Sequence, residues 1–145
     1  MDCYLTYKYY KTLLLGLKRG NSRGVFINAK PVFVISLVDS IDLRISLSNQ
    51  FFYCDSNKQL YETIYSKLEP NSFVTPFFKP FYHLVSDGFW HIKWKDGIKP
   101  SKTSDYKLRD NVEYACLDNA LWDLLQDKQN RNALRQSIIN FYFKK

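Results

Sequence analysis

The chain has 145 residues, with 21 Lys and Arg against 14 Asp and Glu, for a formal net charge of +7. That length suits one domain with a sizeable core, and a composition 46% hydrophobic and 17% aromatic excludes a disordered chain. The charge favours a polyanionic partner, and no apolar run approaches the roughly 20 residues needed to cross a bilayer.

Tyr4 to Lys18 sets Leu5, Tyr9, Leu13 and Leu17 four residues apart, which predicts an amphipathic helix. Its Leu13-Leu14-Leu15 run lacks a small-residue cleavage site, so no signal peptide is expected and the expected compartment is the cytoplasm. Lys18, Arg19 and Arg23 cluster just beyond. Gly20 to Gly24 reads as a loop with two permissive glycines, and Val25-Phe26-Ile27 as a brief extended piece. Asn28 is placed to cap a second helix with Pro31 in its first turn. Val32 to Val38 is apolar nearly all round, so this helix, running to about Ile41, should be central and buried. Leu43 to Tyr53 is a connector. Asp55 or Ser56 caps a third helix carrying Leu60, Ile64 and Leu68, which Pro70 ends.

Lys79 to Trp94 carries the strongest local pattern. Phe81, His83 and Val85 alternate with Tyr82, Leu84 and Ser86, Asp87-Gly88 is a favoured two-residue turn, and Phe89 to Trp94 alternates again. This predicts a β-hairpin over about residues 79–95, with Pro80 at an edge or strand start. Lys79, Lys93 and Lys95 flank it, and a basic, loop-like tail runs on to Arg109. Alternation of Val112, Tyr114 and Cys116 adds a short strand over residues 112–117. Asp118 then caps a helix with Leu121, Leu124 and Leu125. Asp127 caps the last one, with Leu134, Ile138, Phe141 and Tyr142 on its apolar face. The expected fold is α+β: one predominantly helical domain over residues 1–145 with a small antiparallel sheet.

Chemistry is narrowed by what is scarce. There are two histidines, His83 and His91, no phosphate-cradling glycine loop and no nucleophile elbow. Asp39 and Asp42 fall on a helix, and Asp118, Asp123 and Asp127 read as caps or a solvated face rather than a two-metal cluster. Cys3, Cys54 and Cys116 are odd in number and far apart, which predicts buried free thiols rather than disulfides or a zinc site. Trp90, Trp94 and Trp122 are expected in the core or against the sheet. No catalytic residue, metal or cofactor is expected.

Three segments carry a resemblance. The first is Lys30-Pro-Val-Phe-Val-Ile-Ser-Leu-Val-Asp39; the second is Lys79-Pro-Phe-Tyr-His-Leu followed by Asp87-Gly-Phe-Trp90. The third joins Leu117-Asp118 to Leu121-Trp122, Leu124-Leu125, Asp127 and Arg131. In order and spacing, from about Leu5 to Phe143, they resemble the sulfur-binding domain that precedes HNH nuclease domains in phosphorothioate-dependent restriction endonucleases. Lys79 stands where that family has an aromatic ring, Ala29 where it has a histidine, and His83 where it has a small residue.

The resemblance implies a module that binds double-stranded DNA carrying sulfur in place of one non-bridging phosphate oxygen. It implies a shallow apolar pocket around Pro80, with Lys79, Phe81 and His83 beside it and Lys30 holding the remaining phosphate oxygen. Lys99, Lys102, Lys107 and Arg109 would contact the backbone and base edges. The implied partner is a nuclease domain or subunit, since no HNH signature lies in this chain, and no membrane is involved. The residues by themselves leave open a protein-interaction module using the aromatic hairpin, and a small nuclease whose acids converge in space.

Overall fold

The computed structural model describes residues 3–144, and among them seven α-helices accompany two antiparallel sheets of two strands each. The centre is α2 (Ala29–Asp42), the helix apolar all round, of whose 14 residues 11 are buried. Its two inward serines raise no unsatisfied group: Ser36 and Ser40 donate to the Phe33 and Leu37 carbonyls at 2.6 and 2.7 Å. Around it pack α3 (Asp55–Leu68), α6 (Asn119–Gln126) and α7 (Lys128–Tyr142). Arg135 grips Asp39 at 2.6 and 3.0 Å and Arg131 reaches Asp42 at 2.9 Å, so the two helix acids clamp α7 to α2. The third helix keeps its expected span, with Tyr61 and Tyr65 buried beside Ile64.

The first helix, α1, is shorter than expected, ending at Leu14 (Cys3–Leu14). Its buried residues are Tyr10 and Leu14, with Leu17 beyond its end, whereas Leu5 and Tyr9 are each 57% exposed. Beyond it, β1 (Asn21–Ser22) and β2 (Val25–Phe26) form a miniature hairpin. Arg23 and Gly24 turn it at φ 53° and 81°, the two left-handed residues such a turn requires.

The predicted 79–95 hairpin is corrected. Residues Phe78–His83 form helix α4, and Leu84–Asp87 continue as a 3₁₀ turn. Pro80 therefore sits in a first helical turn rather than at a strand edge. What buries this segment is spacing of three and four: Phe77, Pro80, Phe81 and Leu84 all face inward. Gly88, at φ 96°, closes the 3₁₀ turn as a left-handed cap. Asp-Gly reads as a hairpin turn because both roles ask for the same left-handed residue.

Only the second arm is a strand. β3 (Trp90–Trp94) pairs antiparallel with β4 (Val112–Leu117), the short strand expected there, in the register Trp90↔Leu117 to Trp94↔Val112. A bulge interrupts the register between Lys93 and Trp94, and Phe51 bridges Ala115 on the other side. Between β3 and β4 lie a short 3₁₀ turn (Lys95–Gly97) and α5 (Asp105–Asn111), which Ser104 caps. The residues that fix the sheet to the helices are aromatic. Phe33 of α2 meets Tyr61, Phe77, Phe81 and Trp90 at centroid distances of 5.4 to 6.2 Å, mostly edge to face.

Asp127 caps α7 through Asn130 N–H as expected. Asp118 stands at the α6 N-cap position, but its carboxylate accepts instead from Tyr10 Oη at 2.8 Å and meets His91 Nε2 at 2.6 Å. The three cysteines are free, yet none is buried: Cys3 is exposed, and Cys54 and Cys116 are half-buried. Among the described residues no helix is long and apolar enough to cross a membrane, and no buried side-chain polar atom lacks a hydrogen-bond partner.

Candidate nucleic-acid interface

Three segments meet at the N-terminal end of α2. The chain leaves α1 through Lys18 and Arg19, returns through β2 and Ile27, and enters α2 at Ala29-Lys30. α4 packs on α2 and brings Lys79, Pro80 and His83 to the same place. Together with Gly20 and Ser86 these residues line a cavity of about 340 Å³. Ile27, Ala29 and Pro80 are its apolar part, and Lys18, Arg19, Lys30 and Lys79 its cations.

The cations are held differently. Lys30 Nζ lies 2.7 Å from Asp87, with the two side chains 12% and 3% exposed, so this is a nearly buried ion pair. Asp87 also accepts the Lys18 backbone N–H at 2.8 Å, and Lys18 Nζ donates to the Ser86 carbonyl at 3.0 Å. Arg19 donates to Asn28 Oδ1 at 2.9 Å and lies over the Phe26 and Tyr142 rings. Asn28, expected to cap α2, instead uses its side chain to orient Arg19 and to donate to Glu69 at 2.7 Å. Lys79 is exposed and has no ion-pair partner among the described residues. Four cations against the one carboxylate beneath them leave a net +3 at the cavity. In a concave, partly apolar site such a charge focuses its field on an arriving anion.

His83 lies within that field. Partial burial, and then the charges of Lys30 and Lys79, hold its imidazole below the ordinary histidine value of 6.5, so the ring is neutral at pH 7. An anion seated between the lysines offsets their charge and makes the imidazolium easier to form. Binding should therefore take up a proton, and affinity for a polyanion should rise as pH falls from 8 towards 5.5. Measured by fluorescence anisotropy across that range, the gain should vanish in His83→Gln. A rise of the same size in the variant would assign it elsewhere.

The remaining expected residues do not converge here. Phe81 is a core residue, 1% exposed, whose backbone carbonyl accepts from Trp90 Nε1 at 2.7 Å. Lys99 borders a separate cavity on the other side of His83 and Ser86. Lys102 and Lys107 are exposed and line neither cavity. Arg109 is committed to Asp55 at 2.8 Å and Asp105 at 3.0 Å and lies over Tyr53. The Tyr53 hydroxyl, which donates to Asp105, and after it the Arg109 guanidinium hold the Asp105 carboxyl below its ordinary value.

Lys18, Arg19, Gly20, Ile27 and Ser86 line the cavity, and Asp87 pairs with Lys30 beneath it, though none of them is in the expected set. The basic cluster after α1 was the available signal for the first two. Asp87 was hidden by its reading as a turn residue. Among the described residues no three His, Cys, Asp or Glu side chains converge as a metal-binding group. Fold and cavity together define a helical α+β domain with an apolar, cation-rimmed site at one helix end. No protein-family model matches the chain, and no curated protein matches it.

Proposed function

We propose that this chain is a DNA-recognition module, of the kind used in restriction and defence systems, that grips the phosphate backbone of double-stranded DNA through the cavity at the α2 N-terminus. The observation carrying this reading is the lining itself: Lys18, Arg19, Lys30 and Lys79 around an apolar wall of Ile27, Ala29 and Pro80. Cations would hold the charged phosphate oxygens. The apolar wall would favour a sulfur, which is large and weakly hydrated, over an oxygen that loses hydration there. This agrees with the resemblance to readers of phosphorothioate DNA, and on that reading cleavage belongs to a separate nuclease domain or subunit, in the cytoplasm.

The test is a mobility shift with one duplex, with and without a single phosphorothioate, repeated over a salt series. Tighter binding of the sulfur-bearing duplex is expected, with log affinity falling linearly with log salt. Equal binding of the two would remove the sulfur reading but leave the backbone grip. Lys79→Ala, an exposed change, should weaken binding uniformly and lessen the salt slope by about 1. A salt-independent affinity would remove the DNA reading altogether.

A second reading draws on a specific observation. Phe73 is 98% exposed and, with Val25 and Phe26, borders a groove against α3. An apolar patch of this kind suits a protein-interaction module. The salt response separates the two readings.

A further inference from the structure

His83 and Ser86 are shared walls. On one side of them lies the cationic cavity; on the other lies a second cavity of about 330 Å³, formed by Tyr82, Val85, Ile92, Trp94 and Lys99. We propose that this second cavity takes a single unstacked nucleobase from the strand whose phosphate occupies the first. The inference rests on the backbone-gripping reading above and extends it from a charge site to a nucleotide site.

The walls suit a flat aromatic ligand with a polar edge. The Tyr82 and Trp94 rings lie 6.3 Å apart and are inclined at 54°, so the two aromatic walls meet at an angle rather than face to face. Val85 and Ile92 are the aliphatic walls, and the polar groups are few: His83, Ser86 and Lys99. That mixture, at that volume, is typical of small-ligand pockets. Base-on-aromatic stacking tolerates any base, because every base has a π-face.

Strand alternation and a tight reversal of the backbone assemble the site. Alternation along β3 puts Ile92 and Trp94 on the face shared with buried Trp90. Where the register shifts, Lys93 facing Tyr114 and Trp94 facing Val112, the extra residue is Glu113 of β4, so the alternation of β3 runs unbroken through Trp94. Immediately afterwards Asp96 and Gly97 turn the chain with φ of 57° and 68°. Asp and Gly are the residues that tolerate this left-handed backbone, so the chain can reverse tightly here. The reversal returns Lys99 so that its Nζ stands over the Tyr82 ring, 5.2 Å from the centroid. An isolated apolar groove would suit a peptide side chain equally well. The cationic neighbour one side chain away is what selects a nucleotide, whose anionic phosphate and uncharged base need adjacent sites of opposite character.

A base stacked inside a duplex cannot reach such a cavity, so the occupant is either extruded from a duplex or drawn from a single strand. The experiment compares four forms of one DNA by anisotropy: fully paired duplex, duplex with one bulged thymine, duplex with one bulged abasic residue, and the single strand. The bulged thymine should bind more tightly than the paired duplex, because its unpairing is already complete, and the bulged abasic residue should show no such gain. Trp94→Ala should weaken the bulged-thymine complex about tenfold while leaving the paired duplex unchanged. Trp94→Phe, which keeps an aromatic ring, should retain the preference. Tyr82→Ala, with the fold checked by circular dichroism, repeats the comparison if the first variant does not fold.

A single strand binding at least as tightly as the bulge assigns the base to single-stranded DNA; a bulge binding more tightly assigns it to extrusion. Both support the cavity. Equal binding of the thymine and abasic bulges overturns it, as does a Trp94→Ala variant that weakens all four forms alike or none. If the paired duplex binds with the expected salt slope and the bulge adds nothing, this inference fails and the backbone grip stands. If no form binds, both fail.

Discussion

Trp90→Ala should lower the unfolding free energy by about 4 kcal/mol or more, a large share of what a domain this size possesses. The indole is fully buried, meets Phe33, Phe51 and Phe81 at 5.4 to 5.7 Å, and is the donor that satisfies the Phe81 carbonyl. Truncation therefore opens a cavity where α2, α4 and β3 converge and removes the Phe81 carbonyl's partner, which adds about 1–3 kcal/mol to the cavity term. Trp90→Phe weights the two contributions differently, since it loses the N–H but keeps much of the ring volume. Urea denaturation followed by far-UV circular dichroism measures both variants. A shift under 1 kcal/mol for Trp90→Ala would show that the three elements are held together by something other than this side chain.

Asp87→Asn should move stability and DNA affinity in opposite directions. The amide oxygen can still accept the Lys18 N–H, but Lys30, nearly buried, loses its counter-charge. Leaving a shielded cation without its partner costs about 1–3 kcal/mol, less than for a fully enclosed pair because Lys30 borders the cavity. The same change takes the cavity from a net +3 to +4, so a phosphate should bind several-fold more tightly at low salt. Chemical denaturation and a binding titration on the same sample check the two halves. A variant that loses both stability and affinity would mean that Asp87 serves to position the lysine rather than to restrain its charge.

The helical part of the fold was readable wherever one period dominated. In α2, Pro31 at the start and the length of the apolar run favour a buried helix over the strand that its β-branched residues also allow, and Asp127 with Leu134 and Ile138 points to α7. The segment from Lys79 to Asp87 was misread because its apolar residues satisfy two periods at once. Phe81, His83 and Val85 fit a strand, while Phe77, Pro80, Phe81 and Leu84 fit a helix, and only the latter set is buried. Tertiary contact decided the matter: Phe77 and Phe81 both reach Phe33, an arrangement that needs both rings on one side. Of the cavity, Lys30, Lys79, Pro80 and His83 were legible through the resemblance. Lys18 and Arg19, and Asp87 beneath it, were not, because they come together through distant contacts, Lys18 reaching Asp87 across 69 positions and Arg19 lying over Tyr142. Arg109 is the reverse case, a residue of the basic tail already paired with Asp55 and Asp105.

The all-round burial of α2 has a consequence for how the cavity responds to a ligand. Ala29 and Lys30 belong to the first turn of a helix buried on nearly every side, which holds their backbone in place. Lys18 and Arg19, opposite them, lie on a connector outside any helix or strand, held through Asp87, Ser86 and Asn28. One wall is thus a fixed template and the other an adjustable clasp. Ordering that clasp is the part of association that is entropically unfavourable, and it should set the lifetime of the complex more than the rate at which it forms.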